Sequence, residues 1–195
     1  MTAPLAAPTR FIVVSVGTGT SCILVDGESQ ERAGGTAFGG GTLFGLGRLL
    51  TGCEDFAALS EAAERGDAAR ADLLIGDIYE PGKLALPGWA TAANFGRIGR
   101  PGCDASSDDL AAALMNLASQ TIGMICSGVA ARAEAKHVVF GGTTLRANPL
   151  LRQGLSLMVA AAGQQAHFLS DIELAGSEGG AFPGAVGAYE LARQG

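Results

Sequence analysis

Between Phe11 and Ala33 the chain alternates β-branched runs with glycine turns, a pattern that fits an antiparallel meander and little else. Phe11 to Val16 (FIVVSV) reads as a strand, Gly17-Thr18-Gly19-Thr20 as a turn, and Ser21 to Val25 as a second strand. Asp26-Gly27 is a hairpin turn, and Gln30 to Ala33 continues as a third strand.

The later chain switches period. Thr42 to Leu50 has helical apolar spacing. Glu54 to Arg65 and Ala68 to Tyr79 read as surface helices, with Asp55 or Cys53 and Asp67 near their starts. The stretch 80–100 is rich in Pro, Gly and isolated aromatics and is expected to be irregular. Ser107-Asp108-Asp109 caps a long helix reaching about Glu134, and His137 to Phe140 is a short buried strand. Asn148-Pro149 opens a helix through about Ala162, Ala166 to Leu169 is a strand, and 178–187 is a glycine-rich turn before a last helix. Strands alternating with helices place the chain in the α/β class. No internal repeat or linker interrupts 11–195, which is expected to form a single lobe after a disordered tail over 1–10.

Glycine is the odd component: 30 of 195 residues, without a collagen-like period. Such glycine makes tight turns or lets backbone approach a ligand. A net charge of −6, with no run of Lys or Arg, argues against nucleic-acid binding. Small phosphorylated ligands remain open, because a few arginines and oriented amides suffice for them. Cys22, Cys53, Cys103 and Cys126 are widely spaced and form no CxxC or Cys/His cluster, so no metal site is expected. They read as reduced thiols, which together with the absence of a signal peptide gives a cytoplasmic expectation. From Leu110 to Ala131 no residue is charged, long enough to span a bilayer, but Asn116, Ser119, Gln120, Thr121 and Ser127 interrupt it. It reads as a buried helix, with a subunit interface as one use, and not as a membrane span.

Three motifs carry chemistry. Val16-Gly17-Thr18-Gly19-Thr20-Ser21 loads a hairpin turn with amides and hydroxyls, which fits a phosphate cradle and equally a polar hairpin. Arg32-Ala33-Gly34-Gly35-Thr36, followed by Gly39-Gly40-Gly41 at a helix start, suits an anion, although an exposed surface arginine reads the same way. Neither GxGxxG spacing nor a Walker GK[ST] is present. Val138-Val139-Phe140-Gly141-Gly142-Thr143 delivers bare backbone from a buried strand, as an adenine or ribose contact or as a plain turn. Asp26, Glu178, His137 and His167 are carboxylates and imidazoles that could serve as a base, but a turn former or structural residue explains each as well.

In this order the motifs resemble type II pantothenate kinases, of the actin/hexokinase/Hsp70-like ATPase superfamily. The likeness runs from about Phe11 to Ala192 and rests on VGTGTS (16–21), RAGGTAFGGGTLFGLGRLLTG (32–52), GDIY (76–79), ANFG (93–96), VVFGG (138–142) with Arg146 and Asn148, and GAVGA (184–188). The resemblance implies one ribonuclease-H-like lobe of the actin-like ATPase fold: a mixed sheet with flanking helices. It implies that Thr18, Gly19, Ser21 and Arg32 meet phosphate and the pantothenate moiety of substrate or CoA. It places Gly17, Gly39, Gly40, Gly41, Gly141 and Gly142 around the nucleotide. It further implies ATP and Mg²⁺ as cosubstrate and ion, pantothenate as acceptor, CoA or acyl-CoA as ligand, and a homodimer through the helix at about 107–134.

The family pattern also has a DxGGT-type phosphate loop and a catalytic glutamate in an N-terminal lobe, and neither is found in these residues. The chain is therefore expected to be the C-terminal part of such a kinase and inactive alone. The rival expectations are a non-catalytic CoA- or nucleotide-binding module and a kinase for another small hydroxylated substrate.

Overall fold

The computed structural model describes residues 10–83 and 86–169. They fall into two compact units, one holding the described residues through Thr42 and from Ser119 onward, the other Leu43–Ala118. Both boundaries lie inside helices, where no change of composition marks them.

The first unit is built on a five-stranded sheet of order β3-β2-β1-β6-β7. β1 (Phe11–Val16), β2 (Thr20–Asp26) and β3 (Ser29–Thr36) form the antiparallel meander. β6 (His137–Gly141) joins β1 in parallel, and β7 (Gln165–Phe168) joins β6 in parallel. The expected mixed sheet with an antiparallel opening is what the chain forms.

Strand alternation divides the core into two faces. Phe11, Val13, Ile23, Val25 and Leu169 form a buried cluster, with Val139 packed against it. Ile12, Val14, Val16, Cys22, Val138 and Phe140 point the other way and are fully buried. The C-terminal part of α3 (Ser107–Arg132) lies on that second face, since Cys126 Sγ sits 3.6 Å from Cys22 Sγ and Val129 closes on Gly34. All four cysteines are free thiols. α4 (Pro149–Ala161) packs on α3 through Met158 and Leu155 at Gly123 and through Gly154 at Ser119. Pro149 at its first turn and the Asn148 side chain, which accepts from the Leu151 amide at 3.1 Å, start α4 where the sequence indicates.

The α3 helix is long and apolar enough to cross a membrane by length and composition, and 61% of its most apolar window is buried within the protein. That burial is the mark of a core helix.

In the second unit α1 (Gly40–Thr51) meets α2 (Phe56–Arg65) at Gly47, where a Cβ would fall 2.3 Å from a Leu59 methyl. Asp55 caps α2 by accepting from Ala58 N at 2.8 Å. Arg65 forms a two-pronged ion pair with Asp108, at 2.9 and 3.0 Å. Asp109 accepts from the amides of Asp67 and Ser106, which hold its carboxyl below the usual range.

The helix expected over Ala68–Tyr79 does not form. The chain makes short 3-10 turns at Ala68–Arg70 and Ile75–Asp77, with β4 (Leu73–Leu74) between them. β4 pairs with β5 (Thr91–Ala93), so the irregular stretch contains a strand. Two side chains decide against the helix. Asp67 caps the 3-10 turn after which the chain turns, and Asp72 is buried, where it accepts from the Phe95 amide. The last helix expected from the sequence lies outside the described residues, as does Glu178.

Candidate phosphate-binding corner

The three glycine motifs converge in the first unit at the C-terminal end of β1. The Gly17 carbonyl accepts from the Gly40 amide at 2.7 Å and from Thr144 Oγ1 at 3.1 Å. The Thr18 carbonyl accepts from the Gly41 amide at 3.0 Å. Close approach makes these bonds possible. A Cβ on Gly39 would lie 2.5 Å from Gly19 C, and one on Gly40 would lie 2.2 Å from Thr144 Oγ1. Gly142, at φ +119°, passes so near Val16 that a Cβ would meet its carbonyl oxygen at 2.3 Å. Only glycine fits at that crossing.

The geometry assigns the glycines different work. The Gly40 and Gly41 amides are committed to the hairpin turn, so these residues dock the start of α1 instead of presenting those two N–H groups to a ligand. Gly39 is buried and Gly141 lies within β6, opposite Ser15. In a trans peptide the N–H points opposite the preceding carbonyl. With the Gly17 and Thr18 carbonyls turned toward α1, the amides of Thr18 and Gly19 are directed away from it. Thr18 is exposed at the tip and Gly17 has open space around its Cα.

Hydroxyls brace the same corner. Thr20 Oγ1 donates to Phe38 O at 2.8 Å, and Phe38 N donates to Thr36 Oγ1 at 3.1 Å. Thr42 Oγ1 donates to Ala37 O at 3.3 Å. Sequence reasoning missed Thr144 and Thr20 as supports. The only signal was a hydroxyl just after each glycine pair or turn.

Ser21 and Arg32 share one sheet face. Ser21 pairs with Gly35 and Ile23 with Arg32, and the register slips between Cys22 and Ile23, leaving Ala33 as the extra residue. This bulge turns Arg32 along the strand, so that its guanidinium would lie 3.2 Å from a Cβ on Gly35. Gly35, at φ +150°, leaves the space that the guanidinium uses. Arg32 is exposed and partly buried Ser21 lies beside it. The corner therefore combines outward amides, hydroxyls and one guanidinium, a donor set complementary to phosphate oxygens.

The other candidates lie elsewhere. Asp26 is at the opposite end of β2, about 20 Å along the strand at the usual rise per residue. There it pairs with Arg10 Nε at 2.9 Å, as a turn residue. His137 and His167 face each other on β6 and β7, with Nδ1 and Nε2 3.1 Å apart.

In the second unit the GDIY and ANFG segments are tied into one loop system. Asp72, fully buried, accepts from Phe95 N and from Asn116 Nδ2, each at 2.7 Å. Burial raises the Asp72 carboxyl above its usual range, against the pull of these donors. Phe95 is held at φ +56°, an uncommon conformation for a side chain of that size. Asp77 accepts from Leu74 N at 2.8 Å, the main cause of its lowered pKa, and pairs with Arg97 at 2.5 Å.

Sequence comparison gives this geometry a family. Residues 4–189 match the family model described as Fumble. The type II pantothenate kinase of Staphylococcus haemolyticus is 35% identical over 183 residues, 93% of this chain and 66% of that protein. The type II pantothenate kinase of Staphylococcus aureus strain MRSA252 is 33% identical over 184 residues, 94% of this chain and 66% of that protein. Pantothenate kinase 2 of Arabidopsis thaliana is 36% identical, covering 92% of this chain and 20% of that protein. The chain thus spans just under two thirds of the staphylococcal relatives. Among solved structures, a ROK family glucokinase from Streptomyces griseus, in complex with glucose and AMPPNP, aligns with a TM-score of 0.49 at 14% identity, over 97% of this chain and 62% of that one. On the match over 4–189 and these relatives, the chain belongs to the Fumble family, that of the type II pantothenate kinases.

Proposed function

We propose that this chain supplies the phosphate-holding part of a kinase that transfers the γ-phosphoryl group of ATP to the hydroxyl of pantothenate. The product is 4'-phosphopantothenate, the first intermediate toward coenzyme A. The observation that carries the reading is the corner itself: Thr18 and Gly19 amides turned outward, with Ser21 and Arg32 on the adjoining sheet face. Phosphoryl transfer is catalysed mainly by positioning and charge stabilisation, which these groups supply. In this reading Arg32 neutralises phosphate charge, Ser21 and Thr18 orient the phosphate or the pantothenate moiety, and Gly17 lets the ligand lie against backbone.

The donors at this corner are amides, hydroxyls and a guanidinium, which fit anionic oxygens and not a cation. Among the described residues no group of three or more His, Cys, Asp or Glu side chains forms a metal cage. A Mg²⁺ ion would enter with the nucleotide's phosphates, as is usual for this ion. No base is assigned.

A cytoplasmic homodimer belongs to the same reading. Met124, on the uncharged stretch of α3, is 69% exposed and supports contact through this helix. Light scattering on the purified chain tests it: a monomeric mass removes the dimer.

The test of function is transfer of label from γ-labelled ATP to pantothenate. Product that disappears with Arg32→Ala bears the reading out. Product from another hydroxylated acid, with none from pantothenate, changes the substrate. A second reading is a CoA- or nucleotide-binding module, which the same anion-complementary donors would serve. CoA binding without transfer to any acceptor would select it.

A further inference from the structure

We infer that His137 and His167 form a two-point binding site for a divalent transition-metal ion of zinc type, independent of the phosphate corner. The two residues lie on neighbouring parallel strands. His137 pairs with Gln165 and Val139 with His167, so the imidazoles stand diagonally on one sheet face. Their rings are tilted by 43° with centroids 5.3 Å apart, and Nδ1 of His137 lies 3.1 Å from Nε2 of His167.

That separation suits one shared ion. Two imidazole nitrogens on a tetrahedral zinc, each about 2.0–2.1 Å from it, lie about 3.3 Å apart. Without metal the pair is joined by one N–H, carried by one ring and accepted by the other. Binding needs both facing nitrogens bare, so the donor ring moves its proton to its other nitrogen through solvent. No net proton is lost when both rings start neutral. Burial and the neighbouring His137 hold the His167 pKa below its usual value, which favours the neutral imidazole that a metal requires.

Both rings are half-buried, which leaves them accessible to an ion. Among the described residues no third His, Cys, Asp or Glu converges with them, so water completes the coordination. Nitrogen ligands select zinc, nickel or copper over magnesium, which prefers oxygen. A bound ion would clip β6 to β7 at the end of the sheet away from the glycine corner.

The chain has two histidines in all, so a tag-free preparation gives an unambiguous readout. The experiment follows the imidazole carbon-bound proton signals during titration with Zn²⁺ at neutral pH, with Mg²⁺ as the parallel arm. The expected result is that both rings respond together, saturating at one zinc per chain, while Mg²⁺ leaves them unmoved. His137→Gln and His167→Gln, checked for folding by circular dichroism, should each weaken zinc binding by at least about tenfold, the loss typical even for an outer partner of a metal ligand. Unmoved signals in excess zinc would overturn the inference, and so would an equal response to Mg²⁺ or zinc affinity unchanged in both variants. The wild-type titration decides even where a variant fails to fold.

Discussion

Two regions of this molecule hold a loop in place by opposite means. At the glycine corner the backbone is its own clamp: Gly40 N, Gly41 N and Thr144 Oγ1 seize the Gly17 and Thr18 carbonyls, and absent side chains let them approach. In the Asp72 loop a buried carboxylate reaches out to the backbone, taking the Phe95 amide and the Asn116 side chain. The first device leaves a surface open and bare, as a ligand contact needs. The second buries a carboxyl group and fixes a loop through the hydrogen bonds it accepts. Bare backbone and a buried acid thus mark an open surface and an anchored loop.

Substitutions that attack each device can break this comparison. The largest effect is expected from Gly142→Ala, which adds a Cβ 2.3 Å from Val16 O at a φ of +119°. It should cost at least about 3 kcal/mol in urea unfolding, from overpacking and backbone strain together. Gly17→Ala is its control, because nothing lies within 4 Å of the added carbon. Its stability should stay within about 0.5 kcal/mol of the parent. Equal losses in the two variants would mean that the corner is not clamped as described.

Next comes Asp72→Ala, which removes the buried acceptor of two part-buried donors. About 3 kcal/mol is expected, seen as a fall of roughly 6–12 °C in Tm at this chain length. A near-neutral result would remove Asp72 as the anchor of the loop.

Smaller still is Thr144→Val, which deletes one bond to Gly17 O while keeping the side-chain shape. It should cost about 1 kcal/mol and speed hydrogen exchange at the Gly17–Gly19 turn ahead of the rest of the sheet.

The smallest effect is a pH slope. His167 has a folded pKa below its unfolded value near 6.5, so the unfolded chain takes up the proton first on acidification. Stability should therefore be fully present above about pH 6.5 and fall as the pH drops toward the folded pKa. His167→Gln should flatten that part of the profile, whereas an unchanged slope would place its origin in other groups.

The same contrast explains what the sequence made visible. Glycine clusters, β-branched runs and the capping residues Asp55 and Asn148 act locally, so the meander, the α2 and α4 starts and the three converging motifs could be read in advance. The bulge at Ala33 could not, since it exists only in the pairing of β2 with β3. Asp72 was hidden for a related reason. In the sequence it sits in an apparent amphipathic helix, and its partners Phe95 and Asn116 are 23 and 44 residues away. Gly40 and Gly41 were legible as close-approach residues, but what they approach is the chain's own turn.

In the proposed function Arg32 and the Thr18–Ser21 turn hold a phosphate. Its most direct test is calorimetric titration of the chain with ATP and with CoA, repeated on Arg32→Ala. The expected result is saturable binding of at least one of them, weakened about tenfold or more in the variant, as for losing a hydrogen bond to a charged group. Identical binding by both proteins, or none by either at millimolar ligand, would contradict it.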